Sequence, residues 1–266
     1  MNPQLATPRS IALVALLALA SLSCLAIATR AADDKTGVPG SRQGKPLDVE
    51  KRGDLLFNGI DYTGWKFRDP ERSKVWSIAE AMLDPDDPKK LIPARSTEKQ
   101  EGGNMLRGAG HGTDIYTTRS FGDCQLHVEF MIPDGSNSGV YLMGQYEVQV
   151  LSNFGKPDSA LGPGDCGGIY NTKAPTTNAL KPYGQWNSYD ITFRAPRFDT
   201  SGKKTENAKF IKVVFNGKLI HQNVQAPKPT GSELPGGEKP RGPVLLQGDH
   251  GICAFRNLRI EPLDLK

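Results

Sequence analysis

Residues 137–149, Asn-Ser-Gly-Val-Tyr-Leu-Met-Gly-Gln-Tyr-Glu-Val-Gln, decide the fold. They read as one strand, a break at Gly144, and a second strand. Side chains at i and i+2 of a strand point the same way, so Glu147 and Gln149 share one face. Val148 and Val150 then take the opposite face, toward a core. A carboxylate beside an amide on an open sheet face can bind a sugar, and the carboxylate can move a proton. Strand alternation alone would also give a solvated polar face, so this spacing by itself does not separate a site from a surface.

The rest of the chain supplies more strands of the same kind. Gln125 to Ile132 alternates, with Leu126, Val128, Phe130 and Ile132 on one face and Gln125, His127, Glu129 and Met131 on the other. Strands are also expected at 113–118, 140–143, 146–151, 188–194, 244–247 and 254–260. Ile211 to Phe215 runs into Asn216-Gly217, a two-residue hairpin turn, and Lys218 to His221 returns. Many short strands at roughly ten-residue spacing, with turn signals between, indicate an all-β sandwich. Residues 84–104 read as a long loop or insertion, and 151–183, dense in Gly, Pro, Asp and Asn, as a functional loop.

The N-terminus has a different character. Arg9 precedes an apolar run from Ile11 to Ile27, and Ala26-Ile27-Ala28 offers a small-residue cleavage signal. This is the pattern of a secretory signal peptide over 1–32, followed by a polar linker over 33–53 and a folded domain over 54–266. The expectation is an exported protein, periplasmic or extracellular, with a membrane link only through a lipid anchor at Cys24. The apolar run is short for a span of about 20 residues.

Composition narrows the function. The formal charge of +4 is mild and spread along the chain, with no Lys/Arg cluster interleaved with aromatics, so nucleic acid is not an expected partner. Past the leader three cysteines remain, Cys124, Cys166 and Cys253, an odd number. They read as small buried residues, with a Cys124–Cys253 pair as the alternative in an oxidising compartment. No cofactor motif is present: a P-loop, a dinucleotide Gly-rich turn, a Gly-x-Ser-x-Gly elbow and a His-Glu-x-x-His helix are all lacking. No metal site is expected from His/Cys spacing, although Asp134, Asp165 and Asp249 in loops leave a structural calcium open.

Several segments add candidate site residues. Asn137 can point into a cleft beside Glu147. Gly167-Gly168-Ile169-Tyr170-Asn171-Thr172-Lys173 places Tyr170, which could stack on a sugar ring, and Lys173, which could bond hydroxyls, on a loop whose glycines allow close backbone approach. Gln247 and Asp249 flank His250, the histidine best placed for a site role. If Phe255 is buried, Arg256 faces the open side of its strand and Asn257 shares the face of Phe255. Trp186 reads as a core or rim anchor.

Together these segments resemble one family. Leu56-Phe57-Asn58-Gly59 through Gly64-Trp65, Asn137-Ser138-Gly139-Val140, Tyr146-Glu147-Val148-Gln149, Gly168-Ile169-Tyr170, Trp186-Asn187, Asn216-Gly217, Leu246-Gln247 and Phe255-Arg256-Asn257 occur in its order, across residues 54 to 262. The chain is similar to 3-keto-disaccharide hydrolase domain proteins. The resemblance implies a concanavalin A-like jelly-roll sandwich of two antiparallel sheets, and activity on 3-keto-glycosides. Such a substrate needs one general base to take the C2 proton, a donor for the enolate oxygen and an acid for the leaving oxygen. On that basis Glu147 is the expected base, Arg256 or His250 the enolate donor, and His250 or Tyr170 the acid. Asn137, Gln149, Gln247 and Lys173 would bind substrate. The family often carries an arginine shortly after the Asn-Ser-Gly strand, where this chain has Leu142-Met143. Two other readings stay open: a non-catalytic carbohydrate-binding module on the same sandwich, and a conventional endoglucanase with a second carboxylate, for which Glu129 is a candidate.

Overall fold

The computed structural model describes residues 53–94 and 103–266. The expected signal peptide, the lipid-anchor cysteine and nearly all of the expected linker lie outside the described residues. The strands, in chain order, are β1 (Asp54–Leu55), β2 (Trp65–Phe67), β3 (Trp76–Ala79), β4 (Ala81–Leu83), β5 (Leu91–Pro93), β6 (Asn104–Arg107), β7 (Ile115–Thr117), β8 (Cys124–Met131) and β9 (Asn137–Leu142). They continue with β10 (Tyr146–Leu151), β11 (Asn187–Arg194), β12 (Arg197–Phe198), β13 (Lys204–Glu206), β14 (Ala208–Phe215), β15 (Lys218–Ala226), β16 (Leu245–Leu246) and β17 (Cys253–Pro262). Helical structure among the described residues is limited to two short 3-10 turns, at Pro70–Val75 and Asp158–Ala160.

Two antiparallel sheets make the sandwich. The larger runs β15-β14-β11-β8-β17-β6-β3, with β1 added against β17, and the smaller runs β10-β9-β16-β7-β2. Leu126, Val128 and Phe130 of β8 and Val148 and Val150 of β10 are fully buried, so the alternation read from both strands holds. Phe130, Tyr189 and Phe215 pack ring against ring, with Tyr189 centroids 4.8 Å from Phe130 and 4.7 Å from Phe215. Such aromatic clusters bury much apolar area per residue and dominate the stability of a two-sheet core. At the hairpin between β14 and β15, Asn216 and Gly217 hold φ of 48° and 79°, both left-handed, as a two-residue turn requires.

Two expectations change here, and one alternative closes. The described start of 84–104 is not a plain loop: β5 returns along β4 as a hairpin whose Ala81 and Leu91 bury Leu106, Met131 and Ala254, the outward side chains of the larger sheet. That second small core explains why Met131 is buried although it alternates away from Phe130. Cys124 and Cys253 are free and buried, as is Cys166. Cys124 pairs in register with Pro262, at the far end of the strand that Cys253 begins, so no disulfide can span them. Asn257 does not share the face of Phe255. A bulge between Arg256 and Arg259, with Asn257 at φ 48°, turns its amide out to Glu129 Oε1 at 3.0 Å.

The uncovered part of the larger sheet's outer face carries a charged network. His127 Nδ1 lies 2.7 Å from Asp190 Oδ1, and Arg256 Nε donates to Glu129 Oε2 at 2.6 Å. Burial opposes a charge on His127, but Asp190 and Glu129 outweigh it and hold the imidazolium up to about 9. Burial likewise opposes Glu129, and His127, Asn257 and Arg256 overcome it to bring its carboxyl down to about 2. A raised histidine stabilises the fold fully below its unfolded value near 6.5, and that contribution is lost as pH rises through about 9. Asp190→Asn is therefore expected to cost about 1–3 kcal/mol near neutral pH and to flatten the fall in stability between those two pH values. Urea titrations of both proteins across that window check it; parallel curves would dismiss the network.

Candidate active site

The face of the smaller sheet that points away from the core collects polar groups from every strand. β10 pairs with β9 so that Gln149 lies opposite Gly139 and Glu147 opposite Tyr141. Gln247, one residue past β16, donates its backbone N–H to Gly139 O at 2.9 Å. Leu246 lies opposite Ile115, and Ile115 opposite Phe67. The next step in register brings Gln247, Asp114 and Arg68 into line, and Arg68 N donates to Asp114 O at 2.9 Å. Gln149, Gly139, Gln247, Asp114 and Arg68 thus form one row across five strands, and Glu147 and Tyr141 begin the row beside it.

Glu147 is 2 % exposed. Tyr141 Oη donates to its Oε2 at 2.8 Å, and Gln247 Nε2 reaches the same hydroxyl at 3.5 Å. The backbone N–H of Glu147 is held by Thr230 Oγ1 at 2.9 Å. Burial pushes the carboxyl up; the Tyr141 bond pulls it back in part, and Asp114 and Asp249 push it further, to about 8. Burial and the neighbouring carboxylate also hold the Tyr141 phenol well above its usual range, so it stays a donor. Gly139 makes this placement feasible, because a Cβ there would sit 2.1 Å from Glu147 Oε1.

The sequence-derived residues divide into two groups. Gln149, Gln247, Asn137 and Tyr170 join Glu147. Asn137 shares its strand face, with Oδ1 buried and unpartnered. Val148 bridges Ile169, and Tyr170 N donates to Glu147 O at 3.2 Å, so the 167–170 loop lies along β10 as an extra edge. Gln149 is buried in the row, its Oε1 accepting from Val150 N at 3.0 Å. His250 is half exposed and bound to Asp249, Nδ1 to Oδ1 2.6 Å. That aspartate acts on the Glu147 carboxyl through its charge.

Arg256 is a correction. It lies on the outer face of the other sheet, bound to Glu129 and 4.1 Å from the Trp186 ring, with the whole hydrophobic core between it and Glu147. One-residue alternation correctly turned it away from Phe255 but could not say which sheet it belonged to. Glu129 falls with it and is no second carboxylate for Glu147. Lys173 is also a correction: the chain turns at Asn171 (φ 54°), Lys173 exchanges backbone hydrogen bonds with Ile169, and its side chain is exposed. The three loop aspartates do not share a calcium site. Lys156 Nζ takes both oxygens of Asp165 at 2.9 and 2.7 Å, while Asp249 serves His250. Among the described residues no group of three His, Cys, Asp or Glu is placed to hold a metal ion.

Tyr141, Asp114 and Arg68 were not expected. Arg68 answers the missing arginine of the 142–143 region, because a cation reaches this face from β2 instead. Its Nη1 lies 3.1 Å from Asp114 Oδ2, and Asp114 Oδ1 accepts from Gly248 N at 3.0 Å. Arg68, Asp114 and Asp249 line a cleft of about 630 Å³. Parity in 137–142 would have shown Tyr141 on the face of Asn137 and Gly139, but nothing local links Asp114 or Arg68 to Glu147.

A family profile described as a 3-keto-alpha-glucoside-1,2-lyase-like domain matches residues 54–261. The chain belongs to that family. It is a hydrolase-like enzyme: a curated Bacteroides thetaiotaomicron protein named 3-keto-disaccharide hydrolase is 24 % identical over 243 residues, 79 % of this chain and 78 % of that protein. A crystal structure of a candidate glycosyl hydrolase from Parabacteroides distasonis aligns with TM-score 0.57 and 27 % identity, over 79 % of this chain and 84 % of that one. A second from the same organism aligns with TM-score 0.50 and 19 % identity, over 82 % and 97 %, and supports the fold. The jelly-roll sandwich expected from the sequence is the fold observed.

Two substitutions test the geometry. Gly139→Ala is expected to displace the Glu147 carboxyl and abolish its bond to Tyr141 while the cooperative unfolding transition persists. Tyr141→Phe removes the bond that favours the carboxylate, so the Glu147 midpoint should move above its value of about 8. Carboxyl-carbon NMR titration reads both effects, and a midpoint unmoved in either variant would discard this arrangement.

Proposed function

We propose that the enzyme cleaves 3-keto-glycosides with Glu147 as general base. The observation that carries this reading is a buried carboxyl whose pKa is held near 8 and which is bonded to a tyrosine, on a sheet face lined with further hydrogen-bonding groups. A 3-keto sugar acidifies its C2 hydrogen. Glu147 takes that proton, and the electron pair of the C2–H bond moves toward the C3 oxygen as an enolate. The enolate then collapses, the C1–O bond breaks, and the departing oxygen takes a proton. Water adds to C1 of the resulting enone and a proton returns to C2, so the net change is hydrolysis.

The neighbouring groups suit these steps. A base whose pKa lies near working pH combines availability with driving force. Arg68, on the same face, supplies positive charge for the enolate oxygen, the part first given to Arg256. His250, held by Asp249 at the cleft edge, suits protonation of the leaving oxygen. Gln149, Gln247 and Asn137 can orient hydroxyls, with the unpartnered Asn137 Oδ1 available as an acceptor. An ordinary retaining or inverting glycosidase needs two free carboxyls. Asp114 is committed to Arg68 and Gly248, which favours the single-base route. The apolar run from Ile11 to Ile27 supports export as the setting of this activity.

Glu147→Gln conserves size and hydrogen bonding and is expected to lower kcat on a 3-keto-glucoside by at least about 10³-fold, within the range for a lost acid–base group. In the wild type kcat/KM should rise with pH and level off above about 8, as the carboxyl ionises. Wild-type turnover in the variant, or product from ordinary glycosides at equal rates, would refute the assignment.

A further inference from the structure

We propose that a second cleft, at the end of the sandwich, binds the sugar that leaves. This inference rests on the reading of Glu147 as the base of 3-keto-glycoside cleavage. The cleft has a volume of about 640 Å³, lined by Lys89, Arg107, His111, Asp134, Ser136 and His250 among others. That volume falls within the usual range for ligand sites, about 300–1,000 Å³. Asp249 lines both this cleft and the one carrying Arg68 and Asp114, so the two share a wall. Asp249 also holds His250, the group placed to protonate the leaving oxygen. A glycoside with its keto ring on the Glu147 side thus directs its other half past Asp249 and into the end cleft.

The chemistry of the walls selects the occupant. Seven of its residues are charged or polar, Ala109, Pro133 and Ile252 add apolar surface, and no Phe, Tyr or Trp ring lines it. An aryl or alkyl aglycone would strip water from those groups without replacing the hydrogen bonds. Sugar hydroxyls both donate and accept, so they can satisfy Lys89, Asp134 and the histidines together.

The cleft is also built in advance. The Arg107 side chain is buried without a carboxylate partner. Its Nε donates to Gly248 O at 3.0 Å, and its Nη1 and Nη2 donate to Gly108 O and Gly110 O at 2.6 Å each. One guanidinium therefore clamps the 108–110 loop to the turn that carries Asp249 and His250. Gly251 lies so close to the Asn137 backbone that a Cβ there would meet Asn137 O at 1.9 Å. This contact ties the cleft to the first residue of β9. Such preorganisation lowers the entropic cost of holding a polar ligand.

The histidines give a direct test on the full chain. His111 and His250 line the end cleft, whereas His127 and His221 are buried in the larger sheet. Glucose lacks the C3 ketone and serves as an unreactive probe. Its addition should move the His111 and His250 imidazole NMR signals saturably and leave His127 and His221 in place; a still His111 overturns the proposal. Kinetics gives the second arm. Lys89→Ala and His111→Ala should each raise KM for a 3-keto-disaccharide about tenfold, one lost hydrogen bond of about 1.4 kcal/mol, and leave methyl 3-keto-glucoside unchanged. Equal effects on both substrates would overturn the cleft assignment. If the wild type turns over neither substrate, the Glu147 reading fails, and the glucose titration still decides whether the end cleft binds sugar.

Discussion

The site depends on one costly arrangement: a carboxyl group buried on the polar face of a five-stranded sheet, with a tyrosine hydroxyl as its bonded partner. Removing a carboxylate from water raises its pKa, and here the neighbouring acids Asp114 and Asp249 raise it further. The Tyr141 hydroxyl offsets part of that cost. The whole arrangement needs the one position across the strand pair, Gly139, that has no side chain to collide with the acid. An ordinary polar strand face would leave its glutamate solvated and its neighbours free to vary in size.

The fold supports this by keeping its two polar surfaces apart. The apolar layer of Phe130, Tyr189, Phe215 and the β10 valines separates the Glu147 face from the outer face of the larger sheet. On that outer face, His127, Asp190, Glu129 and Arg256 form a second charged network that does structural service. Both surfaces gather titratable groups, and burial and neighbours move the pKa of Glu147 on the first and of His127 and Glu129 on the second. Location distinguishes them: the first adjoins a cleft with Arg68 and Asp114. The second is closed by its own ion pairs and by stacking of Arg256 on Trp186.

Much of the architecture was legible because it is local. Alternation in 125–132 and 146–151 assigned inner and outer residues correctly, and Asn216-Gly217 marked its hairpin. Glu147 with Gln149, and Asn137 on the facing strand, were found the same way. The errors came where a local pattern lacked a global reference. Alternation placed Arg256 opposite Phe255 but carried no information on which sheet β17 joins. Asn257 was assigned by unbroken parity, and the bulge after Arg256 broke it. The hairpin over 81–93 left no local signal because β4 and β5 are three residues each, too short for a period to register.

The sequence by itself determined the strand content, the side of each strand that seeks the core, and the family resemblance, since all three follow from residues near one another in the chain. Only the tertiary structure decided that Gln149, Gly139, Gln247, Asp114 and Arg68 stand in one row. Residues 68 and 247 are brought level by the hydrogen-bond register of five strands drawn from distant parts of the chain. Register is set by how the strands' apolar faces pack together, and a one-residue slip would turn every one of these side chains to the other face.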